Sequence, residues 1–144
     1  MYCHYRNGLE CEYLAAAWFT RNGYSVSWPL DGSIEFDFII NDRDGTKRVQ
    51  VKKIFFDNGK QRFTASLAKT HIKVGGKTKY EKYNENSFDL CAFICIEYNA
   101  IYIVPIEFVY KRRSITFYPD GTKPFKRPFD FEQFKRTLIN LHDE

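Results

Sequence analysis

Two extended runs joined by a tight turn constrain this chain more than any other feature. Residues 35–40 (EFDFII) and 47–55 (KRVQVKKIF) are rich in β-branched and aromatic residues, and the intervening NDRDG ends in an Asp-Gly pair suited to positive φ. They read as an antiparallel hairpin folding about residues 42–45. Side chains alternate across a strand, so Glu35 and Asp37 share one face and Phe36, Phe38 and Ile40 the other. On the partner run Arg48, Gln50 and Lys52 point one way, Val49 and Val51 the other. The fold-back sets Asp37 roughly opposite Gln50, gathering a carboxylate, an amide oxygen and an ammonium at one sheet edge. Phosphodiester hydrolysis uses that combination: hard oxygen ligands for Mg²⁺, and a cation beside the attacking water or the charge that builds on phosphorus. Taken alone, the hairpin fits a wet strand face better than a catalyst.

Around the hairpin, residues 8–21 read as a helix stopped by Asn22-Gly23, with Leu9, Tyr13, Ala16 and Thr20 on one face. Tyr24–Trp28 alternates like a strand, Gln61–Ala65 forms a third strand after Asp57-Asn58-Gly59, and residues 70–82, basic and carrying Gly75-Gly76, read as a mobile loop. Strands are expected again in residues 88–98, 100–104 and 115–118. Residues 119–129 are irregular because of their prolines, and residues 129–141 read as a closing helix capped by Asp130, with Phe131, Phe134, Leu138 and Leu141 on one stripe. The expectation is one α/β or α+β domain over residues 1–144. The longest apolar run, residues 90–96, is far short of the roughly 20 residues a bilayer requires. With no secretory signal in view, a cytoplasmic, nucleoid-associated location is expected. Cys3, Cys11, Cys91 and Cys95 show neither CxxC nor zinc-knuckle spacing and read as reduced, buried thiols.

Charge is distributed unevenly. Residues 60–83 hold seven Lys or Arg against the single Glu81, and residues 111–127 hold Lys111, Arg112, Arg113, Lys123, Lys126 and Arg127 against Asp120 alone. Such stretches suit a polyanion, because cations that neutralise phosphates release counterions, although a solvated basic face has the same composition. Lys69, Lys73, Lys77 and Lys79 are the candidates for contact with double-stranded DNA. Glu12 adds a second carboxylate. On a helical wheel it falls between Ala16 and Phe19, beside the stripe that should face the sheet, where a charge is costly without a partner.

These residues resemble the PD-(D/E)XK nuclease superfamily. Glu12 stands eleven residues before the Gly of Gly23-Tyr24-Ser25-Val26, as in archaeal Holliday junction resolvases. Asp37 matches the motif aspartate, and Gln50-Val51-Lys52 matches the (D/E/Q)-x-K element. Phe36 stands where the motif has Pro, and Gln50 where most members carry Glu or Asp. The QxK variant, with Ser87-Phe88-Asp89 and residues 101–106 (IYIVPI), is similar to the branch holding cyanobacterial group I intron homing endonucleases. The resemblance implies an αβββαβ core, a mixed sheet flanked by helices. It implies that Asp37, Gln50 and Glu12 serve Mg²⁺, with Mn²⁺ able to substitute: Asp37 as central ligand, Gln50 completing the set, Glu12 on a second metal or its water. Lys52 would position the attacking water or stabilise the transition state. The activity implied is site-specific double-strand cleavage by a homo-oligomer; a junction resolvase, a restriction-type enzyme and an inactive DNA-binding protein of the same fold are the alternatives.

Overall fold

The computed structural model describes residues 4–32, 35–122 and 129–140; the side chains of residues 4–7, 68–74 and 77–81 lie outside that description. Helix α1 (His4–Arg21) opens the chain and stops at Gly23, whose φ is +91°. Tyr24 N–H donates to Phe19 O (3.0 Å) and Gly23 N–H to Thr20 O (3.2 Å), and the Tyr24 ring meets Phe19 edge-on at 5.5 Å. This is a Schellman stop with its hydrophobic clasp, as Asn22-Gly23 implied. It also sets the rotation of the helix, since Glu12 stands eleven residues, close to three turns, before Gly23. The buried stripe is Cys11, Ala15, Ala16 and Phe19. The expected stripe shared only Ala16 with it: Tyr13 is 60% exposed and Thr20 also faces outward. Aromatic packing of Phe19 on Phe38 and Tyr24 decides the rotation, and it turns Glu12 toward the sheet.

The main sheet is built from β1 (Ser25–Ser27), β2 (Phe38–Asp42), β3 (Gly45–Lys53), β8 (Leu90–Cys95), β9 (Ala100–Pro105) and β11 (Lys135–Thr137), in that spatial order. All neighbours are antiparallel except β3 and β8, which run parallel. A parallel pair needs a long crossover, most often a helix. Here residues 54–89 make it from strands: β4 (Phe55–Asp57), β5 (Arg62–Ser66) and the hairpin of β6 (Ala68–Val74) and β7 (Lys77–Lys82). The expected loop over 70–82 is therefore a β-ribbon whose turn, Gly75 and Gly76, takes positive φ at both positions, as two-residue hairpins demand. With β10 (Ser114–Phe117), β4 and β5 form a second, three-stranded sheet.

Each face of the main sheet has its own core. Phe38, Ile40, Val49, Val51, Ala92, Ile94 and Ile101 pack under α1. Cys91, Phe93, Tyr102 and Val104 face Ala65, Ile115 and Phe117 of the smaller sheet. Among the described residues, the helices expected to flank the sheet reduce to one, α1. Residues 129–141 do not supply another: Phe131–Phe134 is a short 3-10 turn, with Asp130 accepting from Glu132 N–H, and Lys135–Thr137 then extends to pair with β9. Completing the open edge of β9 outweighs the helical spacing of the phenylalanines, and Leu138 follows into the core under α1. Leu141 lies outside the described residues. Cys11, Cys91 and Cys95 are free and buried, as expected; Cys3 lies outside the described residues.

Open space surrounds a Cβ built on Gly23, so only the backbone penalty opposes a side chain there. Gly23→Ala should cost about 1–2 kcal/mol of stability in urea unfolding; an unchanged midpoint would show that the helix stop does not depend on glycine.

Candidate active site

The site begins where β2 and β3 stop pairing. Their register runs from Asp42 opposite Gly45 to Phe38 opposite Val49, so the next pair along would be Asp37 and Gln50. Asp37 N–H still donates to Val49 O (2.8 Å), but Val51 N–H has no backbone acceptor on that side and donates instead to Asp37 Oδ2 at 2.7 Å. The carboxylate thus replaces a ladder bond, which fixes the Asp37 side chain against β3. On the other side, β3 continues beside β8, with Gln50 paired to Cys91 and Lys52 to Phe93. Arg48 and Asp89 lock the start of that parallel pairing. Arg48 N–H donates to Asp89 Oδ2 (2.7 Å), Asp89 N–H returns a bond to Arg48 O (2.9 Å), and the guanidinium adds Nε to Oδ2 at 3.2 Å. Burial would raise the Asp89 carboxyl, but the bonds from Arg48 outweigh it and hold Asp89 below its ordinary value.

Glu12 reaches Asp37 from α1. Burial first, then a side-chain hydrogen bond to Asp37 and the Asp37 charge, push the Glu12 carboxyl up to about 8. Glu12 keeps its proton because a second negative charge beside Asp37 is poorly tolerated there. Lys52 lies on the same side. Its ammonium is 5.2 Å from the centre of the Tyr83 ring, and its charge acts on the Tyr83 hydroxyl. Burial pushes the fully enclosed Cys91 thiol up, and both Lys52 and Asp37 act on it, so Cys91 lies under the cluster. Glu12, Asp37 and Lys52 are therefore brought together, and strand alternation gives Gln50 the face of Lys52. Lys69, Lys73, Lys77 and Lys79 are carried by the β6–β7 ribbon, and their side chains lie outside the described ones. Tyr83 was missed by the sequence reading; it follows a basic run and nothing in its spacing marks it.

The donor set suits a hard divalent cation. Glu12 and Asp37 offer carboxylate oxygens held close enough to repel, and an amide oxygen from Gln50 would add a neutral third ligand. Among the described residues no three His, Cys, Asp or Glu side chains cluster as a metal site.

A family model described as PD-(D/E)XK endonuclease matches residues 5–123, and the chain belongs to that family. Its chemistry is phosphodiester hydrolysis on DNA, typically with divalent metals. Among solved structures, the bacterial homing endonuclease I-Ssp6803I is similar in fold, with a TM-score of 0.81 and 17% identity over 93% of this chain and 89% of that one. No curated protein sequence matches the chain.

The raised Glu12 carboxyl makes metal-free stability depend on pH. An unfolded Glu12 titrates near its ordinary 4.5, whereas the folded, metal-free group holds its proton to about 8. Stability from this group is full below 4.5, falls as pH rises through the window to about 8, and then levels off. Urea unfolding of EDTA-treated protein at pH 5 and pH 8.5 should show that fall in the wild type and a smaller one in Glu12→Gln. The same pH dependence in both chains would remove Glu12 from the cluster.

Proposed function

We propose that this protein is a site-specific, Mg²⁺-dependent endonuclease of homing type that cuts double-stranded DNA. The observation carrying the proposal is the Asp37 carboxylate, anchored on Val51 N–H at the point where β2 leaves β3 and hydrogen-bonded to Glu12. Asp37, Gln50 and Glu12 would hold the cation, with Mn²⁺ able to replace Mg²⁺. When bound, the cation would polarise the scissile phosphate and acidify the attacking water. Asp37 keeps its orientation through Val51 N–H, and Glu12 would have to lose its proton to serve as a ligand. Lys52 orients the attacking water and offsets charge developing on phosphorus. The likeness of fold to a homing endonuclease supports that assignment over a junction resolvase or a restriction-type enzyme.

The β6–β7 ribbon, with Lys69, Lys73, Lys77 and Lys79, is the element proposed to contact DNA; its support is that a two-stranded ribbon fits the major groove. One cluster per chain makes one nick, so a double-strand break calls for a homo-oligomer. A nucleoid-associated location inside the cell follows from a DNA substrate; among the described residues no helix is long and apolar enough to cross a membrane.

Incubation with supercoiled plasmid, a four-way junction and genomic DNA, with Mg²⁺ or EDTA, separates these readings. Cutting at a rare site only with Mg²⁺, and its loss in Asp37→Ala and Lys52→Ala, is expected. Cleavage of junctions alone would favour a resolvase, and metal-independent binding without cleavage would sink the enzyme reading. DNA affinity should fall by orders of magnitude from low to physiological salt, and replacing Lys69, Lys73, Lys77 and Lys79 by Ala should flatten the log–log salt slope by roughly 3–4. An unaltered slope would take the ribbon off the DNA.

A further inference from the structure

Lys52 brings an ammonium to the cluster, and a lysine side chain has many rotamers to lose before it can act at a fixed point. The protein supplies a restraint from a different part of the chain. Tyr83, the residue after β7, is only 6% exposed, and its ring packs edge-on against Phe88, itself fully buried, at 5.0 Å. A tight turn follows it: Asn84 N–H donates to Ser87 Oγ (3.0 Å), Ser87 N–H to Asn84 O (3.2 Å), and Asn86 N–H to Asn84 Oδ1 (2.8 Å). Arg48 closes the turn from β3 by donating to Asn86 O at 2.8 Å. The ring is therefore held against Phe88 beside an anchored turn, and the Lys52 ammonium lies 5.2 Å from its centre.

From this geometry we propose that Tyr83 is a positioning residue for Lys52, its hydroxyl accepting from the ammonium and its ring limiting where the lysine can swing. Resting on the nuclease reading above, the proposal deepens it by assigning the group that aims its cation. Burial keeps Tyr83 away from DNA, so it acts through Lys52 and does not touch substrate. The hydroxyl stays neutral: burial raises it, and the nearby Lys52 charge only partly offsets that. A neutral phenol accepts a bond from the ammonium without quenching its charge.

The test uses Tyr83→Phe, which keeps the ring in the core, beside the wild type and Tyr83→Ala. Single-turnover cleavage by Tyr83→Phe should slow about tenfold, the loss expected for one charge-assisted hydrogen bond. DNA affinity in EDTA and the melting temperature should stay near wild type. The ¹H and ¹³C signals of the Lys52 ε-methylene should be displaced by the ring current in the wild type and in Tyr83→Phe, and return to free-lysine positions in Tyr83→Ala. Wild-type cleavage rates in Tyr83→Phe, or an undisplaced Lys52 signal in the wild type, would overturn the proposal. A displaced signal in a protein that cleaves no DNA would instead overturn the nuclease reading while supporting the Tyr83 restraint on Lys52.

Discussion

Everything at the candidate site depends on one substituted hydrogen bond. Two antiparallel strands normally satisfy each other's amides until both end. Here β2 departs after Phe38 while β3 continues to Lys53, and the orphaned Val51 N–H is taken by the Asp37 carboxylate. That bond allows the sheet to open without leaving a buried donor unpaired, and it aims Asp37 into the opening. The parallel partner β8 keeps β3 straight through the same stretch, so Gln50 and Lys52 hold their face while β2 moves away.

The other groups reach this opening from elements that share little sequence with it. Glu12 arrives from a helix whose rotation is set by the stop at Gly23 and by Phe19 packing on Phe38. Tyr83 arrives at the end of the crossover, and the Arg48–Asp89 pair ties that crossover back to β3. Apolar burial fixes the frame, and a few polar bonds decide where the reactive side chains sit within it.

The hairpin, its register and the helix stop were legible because each follows from local chemistry: alternation in EFDFII and KRVQV, an Asp-Gly turn, and Asn-Gly after an apolar helix. The helix face was not, since Tyr13 and Phe19 are alike in composition and only tertiary packing decides which is buried. The closing helix failed for a related reason. Phe131, Phe134 and Leu138 are spaced for one, but β9 offers an open edge and Lys135–Thr137 fills it. The basic ribbon looked like a loop because its cations and paired glycines carry no alternating apolar signal. Of the cluster, Asp37, Gln50, Lys52 and Glu12 stood out in the sequence, while Tyr83 did not, because a tyrosine acting through its neighbour leaves no motif.

Strand β11 does more than complete the sheet. Thr137 O accepts from Trp18 Nε1 across 119 positions, and Asn140 O accepts from Arg21, so the far end of the described chain clasps the helix that carries Glu12. Contacts this distant in sequence make folding slow, because so much chain must be gathered before they form. During synthesis the helix therefore waits, its apolar stripe uncovered on one side, until residue 137 has left the ribosome. The emerging polypeptide would depend in that interval on whatever in the cell shields exposed apolar surface, and deleting Lys135–Thr137 would leave that dependence permanent.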